Sequence, residues 1–143
     1  MKIRPMREAD GAAVMALWES CGLTRPWNDP HKDFNFAKQS PSSEILVGED
    51  GRQIIASVMV GHDGHRGAIY YLAVSPQHQM QGLGRAIHDA AIAWLQNAGV
   101  WKINLMVRLE NTHVVSFYEK LGYRPNNVVS LARAIEPNEA VRG

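Results

Sequence analysis

The stretch Tyr70-Tyr71-Leu72-Ala73-Val74-Ser75-Pro76-Gln77-His78-Gln79-Met80-Gln81-Gly82-Leu83-Gly84-Arg85 decides how this chain is read. Residues 68–74 are apolar on both alternating sets, as in a central strand buried on both faces. Pro76 ends that run. Two glycines then open a segment whose apolar residues Leu83, Ile87, Ala91, Trp94, Leu95 and Ala98 recur at helical spacing, with Gly99 suited to stop it. The first turn of a helix leaves backbone N–H groups unpaired, and its dipole favours negative charge. Glycines there let a ligand approach the backbone, so the junction is a candidate anion site, phosphate above all.

Two common phosphate signatures are absent. A dinucleotide fingerprint needs a third glycine where Ile87 stands, and a P-loop needs Gly-Lys followed by Ser or Thr. Tight packing of strand against helix would also account for paired glycines. The junction alone leaves both explanations open.

Working outward, residues 2–5 fit a short first strand. Asp10 is placed to cap a helix carrying Val14, Leu17, Trp18 and Cys21, which Gly22 stops. A loop with two prolines and Trp27 follows, then a second helix from about Pro30 to Gln39 with proline in its first turn. Residues 43–48 and 52–61 read as strands joined at Glu49-Asp50-Gly51, and 62–67 as a polar hairpin loop. Residues 101–107 alternate as a strand with one apolar face. Asn111 can cap a helix with Val114, Phe117, Tyr118 and Leu121, stopped by Gly122. Residues 128–135 read as a last strand, and the polar tail 136–143 as frayed. The expectation is an α/β fold, one domain over residues 1–143, with a mixed central sheet of about seven strands flanked by about four helices.

Bulk properties narrow the function classes. With 143 residues, 45% hydrophobic and 20% charged, the composition is that of an ordinary globular domain. A net charge of +1 with scattered basic residues gives no field that argues for nucleic acid or an anionic membrane. Cys21 is the one cysteine, so no intrachain disulfide forms. No apolar run is long enough to span a bilayer, and the first residues lack the apolar core of a signal peptide. The expectation is a cytoplasmic protein, monomer or homodimer. His62 and His65 lack further ligands, so no metal site is expected.

A second motif chooses among the phosphate ligands. Gln79-x-x-Gly82-x-Gly84 resembles the pyrophosphate-binding signature of the GNAT superfamily of N-acetyltransferases. Asn111 followed by Phe117-Tyr118-Glu119-Lys120-Leu121-Gly122-Tyr123 resembles the same superfamily's other signature. The two stand in the family's order, separated by a helix and a strand. The resemblance is closest over residues 43–135 and is similar to the branch that contains ribosomal-protein N-terminal acetyltransferases.

The resemblance implies acetyl-CoA as co-substrate and an amine acceptor on a peptide or small molecule. It puts the pantetheine arm along Leu72, Ala73 and Val74. It puts the pyrophosphate on the amides of Met80, Gln81, Gly82, Leu83, Gly84 and Arg85, with Gln79 opening the motif. A backbone N–H at Val74 or a neighbour would face the oxyanion. Asn111 either orients the cofactor arm or caps the last helix. Tyr118 would be the general acid for the leaving thiolate, since a phenol with a pKa of about 10 is protonated at neutral pH.

The general base is missing. The branch often has a glutamate on the strand before the Asn motif, and here that position is Met106. Asp63, His65, Glu110 and His113 are candidates to act through water. Without a strong base, amines of low pKa should be preferred over lysine. A noncatalytic acyl-CoA-binding module, sensor or scaffold, is the competing reading.

Overall fold

The computed structural model describes residues 1–136, so most of the polar tail lies outside the described residues. Among the described residues there are four strands and four α-helices. In chain order they are β1 (Lys2–Pro5), α1 (Gly11–Ser20), α2 (Pro30–Gln39), β2 (Ser43–Asp50), β3 (Gln53–His62), β4 (Gly67–Val74), α3 (Leu83–Asn97) and α4 (Thr112–Lys120). The chain divides into two compact units, Met1–Asn104 and Leu105 onward.

In the first unit the strands pair antiparallel in the order β1-β2-β3-β4. Val14, Leu17 and Trp18 of α1 and Phe34 and Ala37 of α2 pack with Ile45, Val47 and Ala73 as one apolar cluster. Helix α3 buries Ile87, His88, Ala91 and Leu95. It packs on β2, β3 and β4, and none of its residues belongs to that cluster, which places it on the sheet's other face. The approach is close at Gly67, where an added Cβ would lie 2.7 Å from a Leu95 methyl.

Three expectations need correction. The sheet has four antiparallel strands rather than about seven in a mixed arrangement. Residues 101–107 contribute one isolated parallel bridge, Gly67 with Ile103, held by Gly67 N–H to Lys102 O at 2.9 Å and Asn104 N–H to Gly67 O at 3.0 Å. Residues 128–135 form no ladder. Alternation says which face a strand would bury; it does not supply a neighbour with free carbonyls and amides. Consequently β4, expected at the centre, has a full neighbour on one side only, and Tyr70 is 47% exposed.

The third correction concerns Asp10. It adopts helical backbone angles and makes no side-chain cap to α1. Its carboxylate instead accepts from Arg7 N–H at 2.7 Å and from both terminal nitrogens of Arg4 at 2.7 and 3.0 Å. Arg4 also donates to Glu49 at 3.1 Å. The guanidinium hydrogen bonds hold both carboxyls below the usual carboxylate range and raise the Arg4 pKa in turn. A charge-assisted bidentate pair is a stronger demand on a carboxylate than a single cap.

Candidate active site

Strand β4 is irregular where the site begins. The β3–β4 register slips between Ser57 and Met59, so Tyr71 and Leu72 together stand opposite Val58. Tyr71 takes a φ of 53°, a conformation that costs a bulky residue of order 1–3 kcal/mol. Its surroundings over-determine it. The ring stacks on Trp18 at 3.9 Å with an interplanar angle of 12°. Trp18 Nε1 donates to Ser57 Oγ at 2.9 Å, and that hydroxyl donates to Tyr71 O at 3.2 Å. The Tyr71 hydroxyl donates to Asp33 Oδ2 at 2.7 Å and accepts from Asn28 Nδ2 at 3.0 Å. Burial, with Asp33 beside it, raises the Tyr71 pKa well beyond the ordinary phenol value.

Past the bulge the chain leaves the sheet at Val74. Its carbonyl accepts from the Gln79 side-chain amide at 3.1 Å and from Cys21 Sγ at 3.2 Å. Gln79 thus ties the turn back to the strand end, and Cys21 is a half-buried packing residue whose thiol burial pushes up in pKa. Met80 and Gly82 both take positive φ, 64° and 78°. A Cβ on Gly82 would meet nothing within 4 Å, so this glycine serves conformation and open approach rather than close packing. His78 N–H is bonded to Ser75 O at 2.8 Å, and Ala86 N–H to Gly82 O at 3.1 Å. Among the described residues, the amides between them find no backbone carbonyl. Successive N–H groups without a backbone acceptor ahead of a 15-residue helix have the chemistry to cradle an anion. Side chains contribute less. Met80 is fully exposed, and the Arg85 guanidinium sits 3.9 Å from Asp89, a loose pair along α3. Ile87, where a third glycine was lacking, is fully buried.

The first unit therefore brings together Leu72, Ala73, Val74 and residues 79–85 at one junction. Asn111 and Tyr118 belong to the second unit. Asn111 occupies the N-cap of α4, but its side chain makes no cap; its carbonyl accepts from Val114 and Val115 at 3.1 and 3.2 Å. Tyr118 is flanked edge-on by Phe117 at 5.1 Å and Tyr123 at 5.4 Å. Burial, then the neighbouring Tyr123 phenol, pushes its pKa up to about 12. Ser130 donates to the Met106 sulfur at 3.1 Å, so that position holds no proton acceptor of use.

The proposed substitute bases fare unevenly. Asp63 Oδ1 accepts from the amides of His65 and Arg66 at 2.9 and 2.8 Å, which lowers its pKa and makes it a turn-forming residue. Glu110 and His113 are exposed in the second unit. Among the described residues no three His, Cys, Asp or Glu side chains are grouped to hold a metal. No helix is long and apolar enough to cross a membrane.

Residues 12–123 match the model of the acetyltransferase (GNAT) family. The chain belongs to this family. It is an N-acetyltransferase, and acetyl-CoA is its acetyl donor. The acetyltransferase SG1711 of Sodalis glossinidius is 43% identical over 141 residues, 97% of this chain and 99% of that one. The ribosomal-protein-S18-alanine N-acetyltransferase of Escherichia coli superposes with a TM-score of 0.73 at 26% identity, covering 85% of this chain and 76% of that one. AAC(6')-Iy, solved with the bisubstrate analogue CoA-S-monomethyl-acetylneamine, has a TM-score of 0.79 at 17% identity, covering 93% and 97%; at that identity the likeness is one of fold.

Sequence reasoning missed Tyr71, Asp33 and Asn28. A signal existed for Trp18 and Ser57, since a buried indole N–H needs an acceptor. None existed for Tyr71, because tyrosine does not advertise a positive φ.

Proposed function

We propose that this enzyme transfers the acetyl group of acetyl-CoA to a primary amine, on a peptide N-terminus or a small molecule, by direct attack on the thioester. The observation that carries the reading is the cradle of unpaired amides at residues 79–85, opened by Gly82 at φ 78° directly beyond the bulged strand. Leu72, Ala73 and Val74 would hold the pantetheine arm, and Met80 to Arg85 the pyrophosphate. Asn111 would orient the arm.

The amine nitrogen bonds to the carbonyl carbon, the C–S bond breaks, and the amine's proton ends on the thiol. We assign Tyr118 as the acid at the leaving sulfur. A phenol near pKa 12 is fully protonated at neutral pH, yet it is a weaker acid than a thiol at about 8.5. Its contribution is therefore a hydrogen bond to the developing thiolate rather than complete proton transfer.

Thiol release from acetyl-CoA tests the reading, with free-N-terminus peptides, lysine peptides, polyamines and aminoglycosides as acceptors. An acceptor-dependent signal supports the enzyme; tight acetyl-CoA binding with no acceptor-dependent release would point to a sensor or scaffold. Met106 adds a second arm. An α-amine with pKa about 8 is roughly a tenth neutral at pH 7, while lysine at about 10.4 is under a thousandth. One peptide with a free N-terminus and blocked lysine should show higher kcat/KM than its reverse. Preference for the lysine form would reveal a base.

A further inference from the structure

We infer that Asp33 is a specificity-determining residue for the acceptor, binding a positive charge on it other than the amine that reacts, with Tyr71 as its positioning residue. The inference rests on the reading of β4 as the cofactor strand.

Asp33 lies in the first turns of α2, half-buried, and its Oδ2 takes two donors, Tyr71 Oη at 2.7 Å and Asn28 Nδ2 at 2.7 Å. Both are neutral. Among the described residues no cation stands within ion-pair distance of it, and Oδ1 has no hydrogen-bond partner. Two neutral donors orient a carboxylate without cancelling its charge. The neighbouring Asp29 is differently used, since its Oδ1 accepts the His31 amide at 2.9 Å as the cap of α2. One of these acidic groups therefore builds the helix, and the other is aimed and left uncompensated.

Its location gives that charge a use. Tyr71 adjoins Leu72–Val74, and its strained φ of 53° is what sends its hydroxyl to α2 while its ring stays on Trp18. Asp33 is thus one hydrogen bond from the strand assigned to the thioester arm. A carboxylate stabilises the charged form of an amine beside it. If it held the reacting amine it would keep the nucleophile protonated. The group it suits is a second ammonium or guanidinium on the same acceptor. In a short diamine that arrangement also helps the reaction, because one fixed positive charge lowers the pKa of the other amine.

The test measures binding of 1,2-diaminoethane, 1,3-diaminopropane, 1,4-diaminobutane and n-propylamine to the CoA-loaded enzyme. In the wild type the best diamine should bind about 10-fold more tightly than n-propylamine, the usual worth of one charge-assisted hydrogen bond. Asp33→Asn, which keeps an oxygen for Tyr71, should erase most of that ratio, and Asp33→Glu should retain much of it. Tyr71→Phe, which keeps the stack on Trp18, should lower the ratio about 3-fold while n-propylamine binding stays put. A diamine advantage that is absent in the wild type, or unchanged in Asp33→Asn, overturns the inference. Thiol release with n-propylamine reports on the acetyl-transfer reading separately, since that amine carries no second charge.

Discussion

The two sides of strand β4 are built from different materials. Toward α3, the cradle at residues 79–85 is made of backbone, and its requirements are conformational: glycine at a positive φ and amides left unpaired by a helix start. Toward α2, the Tyr71–Asp33–Asn28 group is made of side chains drawn from positions 38 and 43 residues apart. Backbone sites tolerate side-chain variety and punish added bulk. Side-chain sites do the reverse. The cofactor, common to a whole family, is assigned to the first kind, and the acceptor, which distinguishes members, to the second.

That contrast can be broken most forcefully at Gly84. Gly84→Glu places a side chain and a negative charge at the cradle, and acetyl-CoA affinity should fall by about 10³-fold or more, since an unpaired like charge costs several kcal/mol. Calorimetry on the folded variant that gave unchanged affinity would remove the phosphate assignment. Tyr118→Phe comes next, with kcat down about 10²-fold and acetyl-CoA affinity little changed, the range for one lost hydrogen-bond donor to charge that develops in the transition state. Turnover near wild type with a true acceptor would free Tyr118 of that task.

Ser57→Ala sharpens the side-chain half. It strands the buried Trp18 Nε1 and removes the donor to the Tyr71 carbonyl, at a cost of about 1–3 kcal/mol in chemical denaturation. Because the Trp18–Ser57–Tyr71 group sets where the Tyr71 hydroxyl meets Asp33, any effect on the diamine ratio should exceed that on acetyl-CoA affinity. Equal losses would mean the two sides are one unit. The smallest effect is expected at the Arg4 pair. Asp10→Asn should lower stability at pH 7 by about 1 kcal/mol. Asp10 is held below its ordinary pKa by Arg4, so its contribution is present above the unfolded value near 3.8 and is lost as pH falls through the lower folded value. The variant's stability should therefore fall less steeply than wild type below about pH 4. Parallel acid limbs would show that the Arg4 pair adds nothing to folding.

Much of the molecule was legible before any coordinate. Helix α2 spans Pro30–Gln39, the expected residues, because proline in its first turn is a local signal. Helices α3 and α4 follow their apolar periodicity, and Gly99 and Gly122 take the positive φ expected of stop residues. The glycine-opened junction was identified because a helix start has the same unpaired amides in any fold.

What the sequence determined by itself was local: the helices and their stops, the glycine-opened junction at residues 79–85, and two motifs in family order. Tertiary structure alone decided which alternating segments found a neighbour, why Asp10 serves Arg4 instead of α1, and where Tyr71 points. The physical reason is the same in each case. Periodicity and turn chemistry act within a few residues, so they are written in the order of the chain. A ladder partner, an ion pair between Arg4 and Asp10 and Glu49, or a tyrosine held at φ 53° by Trp18, Ser57 and Asp33 depends on groups that only folding brings into contact.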